Sequence, residues 1–173
     1  MRVISGIYRG LNLKGFDIDG TRPTMDRIKE SMFAMINSKI QNSEVLDLFA
    51  GSGSLGIEAI SNGAKHCTFI DKNKIAYDTI KENTKKMDNV TIIQNDSMKY
   101  LKETNDTFDI ILLDPPYQTN FIQKSINIIK ERNLLNKGGI LVCEYVSERF
   151  ESPYELWKEK TYKEKTVSIY KNN

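Results

Sequence analysis

The sequence predicts an α/β protein built on an open, mostly parallel sheet with helices on both faces. Three observations lead there. Short apolar runs alternate with amphipathic stretches from residue 45 onward, the mark of repeated strand–helix units. The run FDIILLD (108–114) is almost continuously apolar, as a parallel strand covered on both faces must be. A glycine-rich turn, Gly51 to Gly56, separates the first strand from the helix after it.

Each element follows from its own pattern. RVISGIY, a turn at Arg9-Gly10 and LNLKG read as an N-terminal hairpin or loop pair. Next comes a helix with Thr24 as its N-cap. Its apolar stripe is Ile28, Met32, Met35 and Ile36, at helical spacing. VLDLF (45–49) is the first strand of the sheet, and LGIEAISNG (55–63) is a helix closed by Asn62-Gly63. CTFID (67–71) is a strand, followed by a helix over 73–87. VTIIQ (90–94) is a strand and SMKYLKE (97–103) a short helix. The strand at 108–114 leads into a helix over 121–135, a strand GILVCEY (139–145) and a last strand TVSIYK (166–171). No internal repeat or low-complexity tract interrupts the series.

Bulk properties narrow the function classes. The 173 residues suit one domain, able to bury roughly two-thirds of its unfolded surface. No apolar run reaches the ~20 residues of a membrane span. The opening MRVISGIYRG lacks a secretion signal, so the expected location is the cytoplasm. Cys67 and Cys143 lie inside apolar runs without ligand spacing, and the single His66 starts a strand-like run. That argues for buried thiols in a reducing compartment and against a metal site. The net charge of +2 proves no nucleic-acid partner. Arg2, Arg9 and Lys14, and the lysines between Lys158 and Lys171, are either phosphate contacts or a solvated surface.

In open parallel sheets ligands bind at the carboxyl ends of the strands. Gly51-Ser-Gly53-Ser-Leu-Gly56 is a G-x-G-x-x-G turn at the first such end. It fits a dinucleotide pyrophosphate or the methionine end of S-adenosylmethionine equally well. Asp71 ends the second strand, where an acid can accept hydrogen bonds from a ribose. Asp96, after Asn95, either caps a helix or takes an adenine amine, or does both.

The most telling turn is Asp114-Pro115-Pro116-Tyr117. The prolines fix φ and offer no N–H, so the turn presents acceptors only. A rigid carboxylate and carbonyl can take both protons of an –NH₂ group, and the ring beside them can stack on a base. That chemistry suits methylation of an exocyclic base amine, by positioning and electrostatics.

Taken together, the segment Val45–Gly56, Asp71, Asn95-Asp96 and Asp114–Tyr117 resemble the motif series of class I methyltransferases acting on amino groups, a Rossmann-like fold. The opening, with Arg2, Arg9, Gly10 and the run Thr21-Arg22-Pro23-Thr24 through Asp26, Arg27, Lys29 and Glu30, resembles the RsmD-type family. That family methylates a guanine N2 amine in 16S ribosomal RNA. The resemblance implies a single domain over 1–173, with residues 1–23 an extension toward RNA and 24–173 the Rossmann-like catalytic core. It implies S-adenosyl-L-methionine as cofactor, leaving as S-adenosyl-L-homocysteine. It implies that Asp114 and Pro115, with Pro116 and Tyr117, hold the target guanine. The expected cofactor contacts are Asp47, Phe49, Ala50, Gly51, Ser52, Gly53 and Leu55 around the first turn. Asp71 and Lys72 follow the second strand, and Asn95, Asp96 and Ser97 the third. Arg22 and Thr24 are expected near the cofactor, and Arg2, Arg9, Lys14 and Arg22 on the RNA. Asp71 departs from the glutamate common there, which shortens the reach to the ribose. Glu144 matches the family's late acid and receives no catalytic role.

The expected partner is 16S rRNA inside a partly or fully assembled small ribosomal subunit, since the basic surface is too small to hold naked RNA tightly. The target base must be unpaired or flipped. A monomer is expected, with no metal. Two other readings stay open. Asp-Pro-Pro-Tyr is common among adenine-N6 methyltransferases acting on RNA or DNA. The glycine turn alone also suits a dinucleotide-dependent oxidoreductase, which would need a hydride-transfer site that His66 is poorly placed to supply.

Overall fold

In the computed structural model, residues 1–15, 22–117 and 119–173 are described, and the side chains of residues 22–24 lie outside that description. The elements are α1 (Arg22–Ile40), β1 (Glu44–Asp47), α2 (Ser54–Ser61), β2 (His66–Asp71), α3 (Lys74–Asn83), β3 (Val90–Gln94), α4 (Ser97–Glu103), β4 (Phe108–Leu113), α5 (Phe121–Glu131), β5 (Leu135–Val146), β6 (Glu155–Tyr162) and β7 (Lys165–Lys171). Among the described residues one sheet holds seven strands in the order β3-β2-β1-β4-β5-β7-β6. β1 to β5 pair in parallel, while β7 runs antiparallel to both β5 and β6. The order reverses next to β1, which opens a crevice at the carboxyl ends of β1 and β4.

Alternation along each strand sends neighbouring residues to opposite faces. Val45, Phe69, Ile110 and Val142 go to one side, under Ile28, Met32 and Ile36 of α1, Ile57 and Ile60 of α2, and Ile80 of α3. Leu46, Ile70, Ile111 and Leu141 go to the other, under Leu101 of α4 and Ile122, Ile126 and Ile129 of α5. β4 is buried at both faces, which is why its run carries almost no polar residue.

Three sequence expectations change, and the N-terminal one holds. α1 begins at Arg22, so Thr24 lies inside the first turn rather than capping it; Pro23 is tolerated there because first-turn N–H groups have no intrahelical partner. The N-terminal hairpin or loop pair is present: Arg2 bridges Asn12 around a turn over Gly6–Gly10, with Val3 N–H donating to Leu11 O (2.9 Å) and Leu13 N–H to Met1 O (2.8 Å). Its turn also docks on α2: Ile7 N–H donates to Ser61 O (2.8 Å) and Tyr8 N–H to Ser61 Oγ (2.9 Å). The helix expected over 121–135 stops at Glu131, because Asn133 turns left-handed (φ 53°) and Leu135 pairs with Phe108. β6 was not anticipated at all.

Gly53 shows why the glycine turn needs glycine: it caps α2 at φ 82°, a left-handed conformation that a side chain disfavours. Gly56 is required for a different reason. A Cβ there would lie 2.3 Å from Phe69 Cε1 and 2.7 Å from Cys67 Sγ, so α2 rests directly on β2. Gly56→Ala is therefore expected to lower stability by about 1–3 kcal/mol through overpacking. A urea midpoint equal to wild type would show that α2 shifts freely.

Candidate active site

A cavity of about 760 Å³ opens at the carboxyl ends of the central strands. That is within the roughly 300–1,000 Å³ of small-ligand sites. Four of the segments that line it directly follow strands, because a parallel sheet brings its strand ends to one rim.

The first segment is the turn after β1. Phe49, Ala50, Gly51, Ser52, Ser54 and Leu55 line the cavity. The turn is pinned from outside. Asp71 Oδ2 accepts from Gly51 N–H (2.9 Å), Asn83 Nδ2 donates to Ser52 O (2.9 Å), and Gly53 N–H donates to Ala50 O (2.7 Å). Asp47 Oδ2 accepts from Gly56 N–H (3.0 Å). Burial pushes the Asp47 carboxyl from 3.8 up to about 7; the Gly56 bond acts the other way, and the nearby Asp71 charge adds to the rise. A carboxyl raised on folding favours the fold most at low pH. Its contribution therefore weakens as pH climbs from about 4 to about 7. Asp47→Asn keeps an acceptor for Gly56 and removes the titration, so the fall of stability across that window is expected to flatten. Urea midpoints measured through the window check this; an unchanged slope would exclude Asp47 as its source.

The second segment follows β2. Asp71 uses both oxygens to organise backbone, accepting from Asn73 N–H (2.9 Å) as well as Gly51 N–H. Each oxygen keeps a second lone pair, so a ligand hydroxyl can still be accepted. Lys72 lies beside it on the cavity wall. The third follows β3. Asp96 caps α4 by accepting from Lys99 N–H (2.9 Å) and also lines the cavity, so both readings of that residue hold geometrically. Ser97 Oγ donates to Leu48 O (2.7 Å), and Met98 adds an apolar surface.

The fourth is the turn after β4. Asp114, Pro115, Pro116 and Tyr117 all face the same cavity as the glycine turn. Burial holds the Asp114 carboxyl well above the usual range; the Glu144 charge adds to this and Lys165 opposes it. Phe121 lies 5.7 Å from Phe49, ring centroid to centroid, and closes one wall.

Two groups of expected site residues fall elsewhere. Gly53 and Asn95 shape the rim without lining it; Asn95 N–H donates to Asp71 O (3.1 Å). Arg2, Arg9 and Lys14 stand off the cavity wall, with Arg2 Nε 3.9 Å from Asp26 and Lys14 Nζ 3.8 Å from Glu82. The side chains of Arg22 and Thr24 lie outside the described residues. The tail lysines divide: Lys158 Nζ donates to Met35 O (2.6 Å) and Lys160 Nζ to Ser31 Oγ (3.3 Å), which ties β6 to α1. Cys67 and Cys143 are both buried free thiols. Among the described residues no cluster is placed to hold a metal, and no helix is long and apolar enough to cross a membrane.

With this geometry in hand, similarity to known proteins is decisive. The family described as Conserved hypothetical protein 95 matches residues 1–171. Ribosomal RNA small subunit methyltransferase D of Haemophilus influenzae is 34% identical, over 99% of this chain and 94% of its own. The chain belongs to the RsmD family. YlbH of Bacillus subtilis is 39% identical over 99% of this chain and 98% of its own. The solved structure of yhhF from Escherichia coli superposes with a TM-score of 0.90, at 26% identity, covering 100% of this chain and 98% of that one. The α/β class I methyltransferase fold expected from the sequence is therefore the fold of this RsmD-family chain.

Lys29, Glu144 and Lys165 also line the RsmD-family cavity, although the sequence reading, which named each of them, gave none a place in the cofactor or base site. Lys29 Nζ is buried between Glu58 Oε2 (3.3 Å), Ser54 Oγ (2.9 Å) and Arg2 O (2.7 Å). Glu58 accepts in turn from Ile4 N–H (3.0 Å) and Ser5 N–H (2.9 Å). This buried pair ties the N-terminal segment to α1 and to the start of α2. Its signal in the sequence was a lysine next to the apolar stripe of α1 and a glutamate inside the apolar run of α2.

Proposed function

We propose that this RsmD-family chain transfers a methyl group from S-adenosylmethionine to the exocyclic N2 amine of a guanine in small-subunit (16S) ribosomal RNA. One observation carries the reading: the Asp114–Tyr117 turn and the Gly51–Gly56 turn share one cavity. The name of the Haemophilus influenzae relative, a ribosomal RNA small subunit methyltransferase, supports the RNA substrate.

The residues present suit the cofactor. Gly51 brings backbone to the cavity surface, Asp71 and Asp96 offer carboxylate oxygens for a ribose and an adenine amine, and Phe49, Leu55 and Met98 offer apolar surface. When bound, S-adenosylmethionine supplies an electrophilic methyl on sulfur. The chain does the rest. The Asp114 carboxylate and the Pro115 carbonyl accept the two amine protons and orient the nitrogen lone pair away from the ring plane. Tyr117 stacks on the base. Asp114 then takes the proton that the nitrogen loses. Exposed Arg2 and Arg9 are assigned to RNA phosphates. The substrate assigned is the assembled or partly assembled subunit, acted on by a single-domain monomer in the cytoplasm.

The test adds radiolabelled S-adenosylmethionine and the protein to small subunits from cells lacking the gene, followed by nucleoside analysis. Label in N2-methylguanosine is expected. Label in N6-methyladenosine would replace guanine by adenine as the target, and equal labelling of a short free hairpin would remove the need for the particle.

A further inference from the structure

The cavity wall that carries Asp114 also carries two charged side chains for which holding an amine gives no task. Glu144 of β5 is 7% exposed, and Lys165 opens β7. Lys165 Nζ lies 3.3 Å from Glu144 Oε1 and 5.4 Å from the centroid of the Tyr117 ring. Antiparallel pairing sets them side by side, with Val146 opposite Lys165 and Glu144 opposite Val167. Lys165 therefore bridges an acid and the ring assigned to stack on the base. Burying Glu144 and half-burying Lys165 costs desolvation that their attraction seldom recovers, and an apolar pair of equal volume would serve the fold as well. A ligand that engages both groups accounts for keeping them.

The hydrogen-bonding edges of the four bases decide which ligand. Adenine and cytosine place a ring nitrogen lone pair beside their exocyclic amine. Uracil has a ring N–H and no amine. Guanine alone offers an amine, then a ring N–H, then a carbonyl oxygen along one edge. A wall with two carboxylates and one ammonium offers the complement: two acceptors and a donor.

We propose that Glu144 and Lys165 select the base: the Glu144 carboxylate accepts guanine N1–H and the Lys165 ammonium donates to O6, while Asp114 holds the N2 amine. The inference rests on the guanine reading above. It adds the residues that reject adenine, whose N1 lone pair would face the Glu144 carboxylate. Burial works against the charge of Lys165, but its contacts with Tyr117 and Glu144 outweigh burial and hold its proton more tightly than usual. The donor thus stays charged.

The test replaces the mapped target guanine by 2-aminopurine in small subunits reconstituted on ligated RNA. 2-Aminopurine keeps the N2 amine but has no O6 and carries a lone pair at N1. The wild-type protein is expected to methylate guanine on the order of 10⁴-fold faster, as sites built around a hydrogen-bonded edge do. Glu144→Met and Lys165→Met are each expected to shrink that ratio by about tenfold, through loss of rate on guanine. Lys165→Arg, which keeps a donor, is expected to restore most of it. The fluorescence of 2-aminopurine reports docking without turnover, and docking is expected to tighten in Glu144→Met as the repulsion goes. Unchanged affinity for S-adenosylhomocysteine marks the variants as folded. Equal losses on both bases, with the ratio preserved, would reduce the pair to a structural role and overturn the inference while leaving the guanine reading intact. A wild-type protein that makes no N2-methylguanosine would overturn both.

Discussion

Replacing Asp114 by alanine is expected to cut methyl transfer by on the order of 10²–10³-fold while affinity for S-adenosylhomocysteine stays near the wild-type value, the scale of loss seen when one preorganised polar group is removed from a reacting centre. The expectation follows from position. Asp114 lies after β4, beside Pro115 and Tyr117, whereas the glycine turn and Asp71 lie after β1 and β2. The two halves of the cavity are built by different strand ends, so one can be disabled without the other. Single-turnover transfer and calorimetric binding of the product check it together. A variant that bound S-adenosylhomocysteine far more weakly, yet transferred normally once saturated with S-adenosylmethionine, would move Asp114 to the cofactor side.

Lys29→Met is expected to destabilise the chain by roughly 3–5 kcal/mol, since it strands the buried Glu58 carboxylate without its counter-charge. The loss should appear as a lower urea midpoint. Adding Glu58→Gln should recover much of it, because the double replacement leaves no unpaired charge. If Lys29→Met alone were neutral within about 0.5 kcal/mol, the pair would be irrelevant to folding. The same variants should loosen the N-terminal segment. Ile4 and Ser5 hang their backbone N–H groups on Glu58, and Arg2 O accepts from Lys29. Amide exchange at Ile4 and Ser5 would read that directly.

How much of this was legible depends on whether the determinant was local. α4 was placed at its observed bounds, because Asp96 is a local N-cap and the helix is short. The five parallel strands were found because each contains a short apolar run, buried in four of them and only partly covered in the edge strand β3. β6 was missed for the opposite reason. ELWKEKTY is mostly exposed and charge-rich, and only its ladder with β7 makes it a strand. α5 was read too long because Leu134 and Leu135 continue a helical spacing; the left-handed Asn133 ends it, and a pairing partner 27 residues away claims Leu135. The site divides along the same line. Residues that directly follow a strand could be named in advance. Lys165 could not, since it begins a strand instead of following one. It reaches the rim only because β7 runs antiparallel to β5, so that its first residue meets the carboxyl end of its neighbour. An expected antiparallel last strand would have supplied that signal.

The same β6 has a consequence for the chain at high concentration. It ends the strand order, so among the described residues one row of its backbone N–H and C=O groups has no ladder partner. Such a row is a template on which another chain could add a strand. Lys158, Glu159 and Lys160 stand in sequence on it, and the first and last are anchored to α1. A second strand laid against that border would have to desolvate or displace these charges. The segment that betrayed least of its structure in the sequence thus acts as a gatekeeper against cross-chain zippering, and its polarity is the means by which it does so.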